Sequence, residues 1–282
     1  MSLIARILEI IKEPIDCISP LPGGCINQVY SVKFKNGRQI VAKVGDTNSR
    51  FLVEEFMLNY LRENTILPVP NIYYSDNNLI LMEFLGSCKA LNTRTEREIA
   101  DLIASLHNIS ADNFGFEKET LIGGLVQPNP ISKNWRTFFR DQRLIYMADN
   151  AYQKGLLPLK SRQLIDKLCD NLERWISEPE APSLIHGDLW NGNILSSKGY
   201  LKGFINPAIY FANAEIELSF STLFHTFDNH FFSRYKEHRE IKPGFFEERK
   251  DIYNLYPLLV HIRLFGGYYV SQLNQVLLKF VG

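Results

Sequence analysis

Residues 184–195 read Leu-Ile-His-Gly-Asp-Leu-Trp-Asn-Gly-Asn-Ile-Leu. Transfer of a phosphoryl group needs a carboxylate that orients the attacking hydroxyl and accepts its proton. It also needs a ligand for the metal that screens the phosphates. Asp188 suits the first task and Asn193, beyond an intervening four residues, the second. Asp, Asn and Gly also favour turns between buried strands. A turn accounts for such residues singly, but not for His186, Asp188 and Asn193 together at this spacing.

This chemistry needs a cation on the phosphates and elements that carry it. Gln39–Val44 reads as a strand and carries Lys43. A buried ammonium is costly without an anionic partner. Glu54 is the partner expected, from a helical pattern of Phe51, Glu54, Leu58 and Leu61, with Glu55 the alternative. Taken alone, Lys43 could equally snorkel from an edge strand. Upstream, Gly23-Gly24 precedes the alternating run Val29–Phe34. Such a loop can lay backbone N–H groups over phosphates, although an isolated Gly-Gly reads first as a hairpin turn. Asn36-Gly37 is a strong hairpin signal. Asn71–Tyr74 and Leu79–Phe84 read as a further strand pair. The stretch from Leu81 to Gly86 closes this first part. In a kinase a stretch in this place is the hinge, whose backbone would hydrogen-bond adenine, with Met82 at the back of the pocket; read alone, a Met on a strand is plain core.

The remainder reads as mainly helical. Ile99, Leu102, Ile103 and Leu106 give Glu96–His107 a core face, with His107 as a cap or core histidine. Residues 121–129 hold two glycines and a proline and read as a loop. Trp135, Phe138, Phe139, Arg143 and Leu144 share a helical spacing, and Leu164–Ile176 forms another helix stopped before Pro179 and Pro182. The expected fold is α+β and bilobal, with a small β-rich lobe over residues 1–86 and a larger helical lobe over 87–282.

The 282 residues carry 31 basic and 31 acidic side chains. No global charge draws the chain to nucleic acid or to an anionic membrane. The N-terminal helix lacks a signal peptide's apolar core, and no uncharged stretch approaches membrane-spanning length. The expectation is a cytoplasmic protein whose four scattered cysteines stay reduced and hold no metal.

Together these motifs resemble the fructosamine kinase (ketosamine-3-kinase) family, small-molecule kinases related to aminoglycoside phosphotransferases and choline kinases. The resemblance runs from Gly-Gly-Cys-Ile-Asn (23–27) through Phe-x-x-Glu (51–54), Gly-Gly-x-x-Gln-Pro-Asn (123–129) and His-Gly-Asp-Leu-Trp-x-Gly-Asn (186–193). It continues through Asn-Pro-Ala (206–208) and the 249–256 segment to Phe-Gly-Gly-Tyr-Tyr (265–269). It implies a protein-kinase-like fold with ATP and Mg2+ between the lobes. The reaction implied is phosphorylation of the sugar O3 of a ketosamine, free or protein-bound, in deglycation. Asp188 is then the base and Asn193 and Asn206 stand at the metal positions. Lys43, paired with Glu54, holds the α/β-phosphates, Gly23 and Gly24 form the phosphate loop, and Met82, Glu83 and Leu85 line the adenine pocket. Trp190, His186 and Glu215 face the substrate.

The family usually has Asp where this chain has Asn206, commonly Arg where it has Ala214, and Asp where it has Glu217. Asn offers magnesium a carbonyl oxygen but no charge. Two alternatives follow: a related kinase for another hydroxylated amine, and a catalytically impaired nucleotide-binding member. Some relatives with a cysteine at the Cys25 position resemble redox switches linked across a dimer. The plainer reading of Cys25 is a small apolar turn residue in a monomer or weak homodimer.

Overall fold

A computed structural model describes residues 2–21, 27–46, 50–88 and 90–281. Gly23, Gly24 and Cys25, for which a phosphate loop and a redox role were expected, lie outside the described residues.

The first helix, α1 (Leu3–Ile11), precedes three strands, β1 (Ile15–Pro20), β2 (Gln28–Phe34) and β3 (Gln39–Val44). Helix α2 (Phe51–Asn64) follows, then β4 (Ile72–Ser75) and β5 (Leu79–Glu83). The strands form one antiparallel sheet in the order β1-β2-β3-β5-β4. Side chains alternate across a strand, and β3 divides accordingly. Ile40 and Ala42 pack with Ile7 of α1, Val32, Phe34, Leu79 and Leu81 on one face. Val41 lies on the other face, against Phe51 of α2, Ile80 and Met82. Lys43 therefore points to the α2 side.

Helix α2 belongs to both parts of the molecule. Phe51 packs on the sheet, whereas Met57, Leu58 and Leu61 join the large core of the helical lobe. At the edge of that core, Tyr60 meets Phe116 edge-on with ring centroids 4.9 Å apart, and the Lys118 ammonium lies 4.3 Å from the Phe56 ring.

The second lobe contains α3 (Thr93–His107), the hairpin β6 (Thr120–Ile122) and β7 (Leu125–Gln127), α4 (Trp135–Phe139), α5 (Tyr146–Gln153) and α6 (Leu159–Cys169). Then come β8 (Ser183–Ile185), β9 (Ile194–Ser197), β10 (Tyr200–Phe204), β11 (Tyr210–Ala212), α7 (Glu215–Leu223), α8 (Asn229–Lys236), α9 (Lys250–Phe265) and α10 (Val270–Val281). Strand β8 pairs with β11 and β9 with β10, both antiparallel. The molecule is a β-sheet lobe joined to a helical lobe, as the α+β kinase-like expectation required.

Two segments differ from their sequence reading. Residues 120–127 are a hairpin rather than a loop, because Gly123 and Gly124 both adopt positive φ, 52° and 79°, and turn the chain tightly. The helix expected over Leu164–Ile176 starts earlier, at Leu159 after Pro158, and ends at Cys169, a 3-10 turn at Leu172–Arg174 replacing its last part.

Candidate active site

The loop from His186 to Asn193 leaves β8 through Gly187, whose φ is 85°. A Cβ there would collide with the Ala208 carbonyl, so only glycine fits both the dihedral and the space. The loop is tied back on both sides. The Ala208 N–H donates to the His186 carbonyl at 2.7 Å, and the Ile205 N–H to the Asn193 carbonyl at 3.0 Å. These bonds set Asn206 and its neighbours against the loop, with Asn206 at φ 54°, a region that Asn tolerates better than most residues.

A continuous polar run crosses the cleft from lobe to lobe. Lys43, 8% exposed, pairs with Glu54 of α2. The same ammonium donates to Asn206 Oδ1 at 2.5 Å. Asn206 Nδ2 donates to Asn193 Oδ1 at 2.7 Å, and Asn193 Nδ2 donates to Asp188 Oδ2 at 2.7 Å. Residues far apart in the chain are thus joined end to end, from an ammonium to a carboxylate. Glu54, not Glu55, takes Lys43.

Asp188 is partly exposed. Burial of its carboxyl nonetheless pushes the pKa up to about 7; the Glu217 charge adds to this, while hydrogen bonds from Asn193 and Trp190 oppose it. The Trp190 ring lies directly over Gly192, where any Cβ would strike it, and meets the Phe224 ring at 5.7 Å. The absence of a side chain at Gly192 is what lets the indole lie beside Asp188.

The other expected site residues each have neighbours of their own. His186 has no exposed surface. Its ring lies against Phe204 at 5.9 Å and its Nδ1 accepts from the Asp188 N–H at 3.4 Å. The expectation that it contacts substrate is corrected: the ring braces the loop from behind. Glu215 is held by Arg249 through two bonds of 2.6 and 2.7 Å, a bidentate pair that occupies both oxygens. Met82 is buried between Phe51 and Ile80. Glu83 turns its carboxylate to Asn71, accepting from Nδ2 at 2.8 Å. Leu85 lies where any side chain at Gly203 would strike it. The structure brings Asp188, Asn193, Asn206, Lys43 and Glu54 together; the Glu215 and Glu83 carboxylates are taken by Arg249 and Asn71, and His186 lies buried behind the loop, bonded to the Asp188 N–H.

Two supporting networks carry the loop. The Glu217 carboxylate, 1% exposed, accepts the Gly187 N–H at 2.6 Å and the His186 N–H at 3.2 Å. His107 Nε2 lies 2.8 Å from the same carboxylate and Nδ1 2.7 Å from the Tyr235 hydroxyl. Burial, outweighing the pull of Glu217, lowers the His107 pKa. The neutral ring therefore donates from Nε2 and accepts the Tyr235 O–H at Nδ1. Burial of Glu217 raises its pKa, but the His107 hydrogen bond and the other donors more than offset this, and the net shift is downward. Glu217 thus fills its position fully, although it departs from the Asp expected there.

The second network starts where α4 widens into a π-helical segment, Arg140–Ile145. Arg143, without exposed surface, donates to the Pro128 carbonyl at 2.7 Å and to Asn129 Oδ1 at 2.6 Å, with its guanidinium 3.9 Å from the Tyr210 ring. Gln127 Nε2 donates to the Ala208 carbonyl at 3.0 Å, and the Tyr256 hydroxyl to Gln127 Oε1 at 2.7 Å. The Gln-Pro-Asn pattern (127–129) therefore braces the segment that carries Asn206. Its sequence signal was visible; its target, 81 residues away, was not.

Magnesium favours an octahedral oxygen shell with one or two carboxylates beside substrate phosphates. Among the described residues no group of three His, Cys, Asp or Glu side chains could hold a metal. Of the two amides expected as ligands, Asn206 accepts at Oδ1 from Lys43 and Asn193 accepts at Oδ1 from Asn206 Nδ2. These residues do not make a magnesium site of their own.

The chain is similar to known proteins over almost its whole length. A family model described as fructosamine kinase matches residues 3–281. A probable ketoamine kinase of Vibrio parahaemolyticus is 32% identical over 269 residues, covering 93% of this chain and 91% of the relative. The crystal structure of a Haemophilus somnus protein assigned as a fructosamine-3-kinase superposes with a TM-score of 0.86 at 27% identity, covering 100% of this chain and 97% of that one. A macrolide 2'-phosphotransferase from Brachybacterium faecium shares the fold alone, with a TM-score of 0.63 at 14% identity and coverage of 98% and 96%. No helix among the described residues is long and apolar enough to cross a membrane.

Proposed function

The chain belongs to the fructosamine kinase family, and from that premise we propose that it transfers the γ-phosphoryl group of ATP to the sugar O3 of a ketosamine, small or protein-bound. The observation that carries the reading is the unbroken run from Lys43 through Asn206 and Asn193 to Asp188. It sets a buried cation and a carboxylate at opposite ends of one cleft. Lys43, oriented by Glu54, holds the nucleotide's α/β-phosphates. Asp188, fixed by Asn193, orients the sugar hydroxyl and takes its proton as the new O–P bond forms. The bond from the γ-phosphorus to the bridging oxygen breaks and ADP leaves. The phosphorylated adduct then decomposes and frees the amine. Trp190, beside Asp188, offers an aromatic wall for the sugar.

Asn206 favours a second reading, a nucleotide-binding member in which transfer is impaired. ADP release from Mg-ATP with a panel of ketosamines, run on the native chain and on Asn206→Asp, separates the two. Ketosamine-dependent turnover in the native chain supports the kinase. Silence there, with turnover in Asn206→Asp, supports the impaired member. Silence in both, with turnover on another hydroxylated amine, overturns the ketosamine assignment.

A further inference from the structure

The polar run has a direction. Both amide oxygens, Asn206 Oδ1 and Asn193 Oδ1, face a donor inside the protein, and both amide nitrogens donate along the chain towards Asp188. The oxygen that would greet a dication at position 206 already accepts from a cation, the Lys43 ammonium at 2.5 Å. That ammonium is already paired with the Glu54 carboxylate. An Asp at 206 would add a second negative charge against Lys43. It would then repel nucleotide phosphates until a dication offset it. With Asn206 that extra charge is absent, and the ammonium can meet phosphate oxygens directly.

We infer that this chain binds nucleotide with an affinity indifferent to divalent metal, the Lys43 ammonium serving as the cation on the phosphates where a carboxylate-held metal would otherwise stand. The inference rests on the family's use of a nucleotide but not on transfer to a ketosamine. A protein that needs no metal to hold its nucleotide would remain loaded where free magnesium is scarce.

The test is titration calorimetry of the full chain with ADP, in excess Mg2+ and in excess EDTA, without ketosamine. The native dissociation constants should agree within about threefold, because the protein contributes no carboxylate to the metal. Asn206→Asp should bind ADP weakly in EDTA and gain about tenfold or more with Mg2+, as a new charge next to Lys43 requires. Asn206→Ala, which removes the amide without adding charge, should stay indifferent and controls for disturbance of the fold. A native gain of about tenfold or more with Mg2+ would overturn the inference. So would an absence of ADP binding in both buffers, or an Asn206→Asp variant as indifferent as the native chain. Absence of ketosamine turnover alongside metal-indifferent binding would overturn only the kinase reading.

Discussion

Replacing Glu217 by Gln tests the catalytic loop most sharply, because stability and catalysis should respond in separable ways. The carboxylate accepts two consecutive backbone N–H groups, at Gly187 and His186, and faces the His107 Nε2 donor. Gln keeps the shape but only one acceptor oxygen, so its amide nitrogen must confront at least one of these donors. A hydrogen bond to a charged group is worth about 1.5–3 kcal/mol. Loss of one such bond and of the charge on the others should cost about 3 kcal/mol. At about 2 °C per kcal/mol for a chain of this size, the melting temperature should fall by ~6 °C near neutral pH. The Glu217 pKa is lowered in the fold from 4.5. Its stabilisation is therefore present above about 4.5 and is lost as pH falls through the lower folded value, so the gap between native and variant should close in acid. The Glu217 charge also raises the Asp188 pKa. The acid limb of kcat/KM, expected near pH 7 for the native chain from the Asp188 pKa, should therefore move to lower pH in the variant even as the protein loses stability. Scanning calorimetry and a pH–rate profile read the two effects. A variant with native melting temperature and an unmoved acid limb would refute the assignment of Glu217 as the residue that positions this loop.

Four further outcomes follow from the same geometry. Asp188→Asn should lower kcat by about 10²–10⁴-fold, the usual worth of a positioned base. Because the Asp188 pKa is raised from 3.8 to about 7, the ionised group opposes folding; the melting temperature of Asp188→Asn relative to native should climb between pH 4 and pH 7 and level off above. Gly187→Ala should destabilise by about 2–4 kcal/mol in chemical denaturation, from the positive φ and the collision with the Ala208 carbonyl. Tyr256→Phe removes the hydroxyl that Gln127 accepts; it should cost about 1 kcal/mol and lower kcat more than it raises KM.

Much of the fold was legible because its signals are local. The alternation in β2 and β3, the Asn36-Gly37 turn and the apolar face of α3 each lie within a few residues. The Lys43–Glu54 pair was legible because burying an ammonium demands an anion, and a nearby helix offered two candidates. The hairpin at 120–127 was missed because glycine and proline content says that a chain turns, not that its flanks pair. The networks behind the loop were missed for a different reason. His107 meets Glu217 across 110 residues and Tyr256 meets Gln127 across 129. Nothing local marks a histidine at the end of an amphipathic helix as a partner of a glutamate in another. His186 was misassigned because spacing places a residue in a loop but does not say which side of the loop its ring takes.

Helix α2 carries Glu54 while fastened at one end to the sheet through Phe51 and at the other to the helical core through Met57, Leu58 and Leu61, with Tyr60 locked against Phe116. A lever pinned at both ends cannot swing. Turning this protein off by rotating that helix, and so withdrawing Glu54 from Lys43, would require tearing two apolar contacts at once. The ion pair is in consequence part of the scaffold, held by the same apolar contacts that join the two lobes through α2.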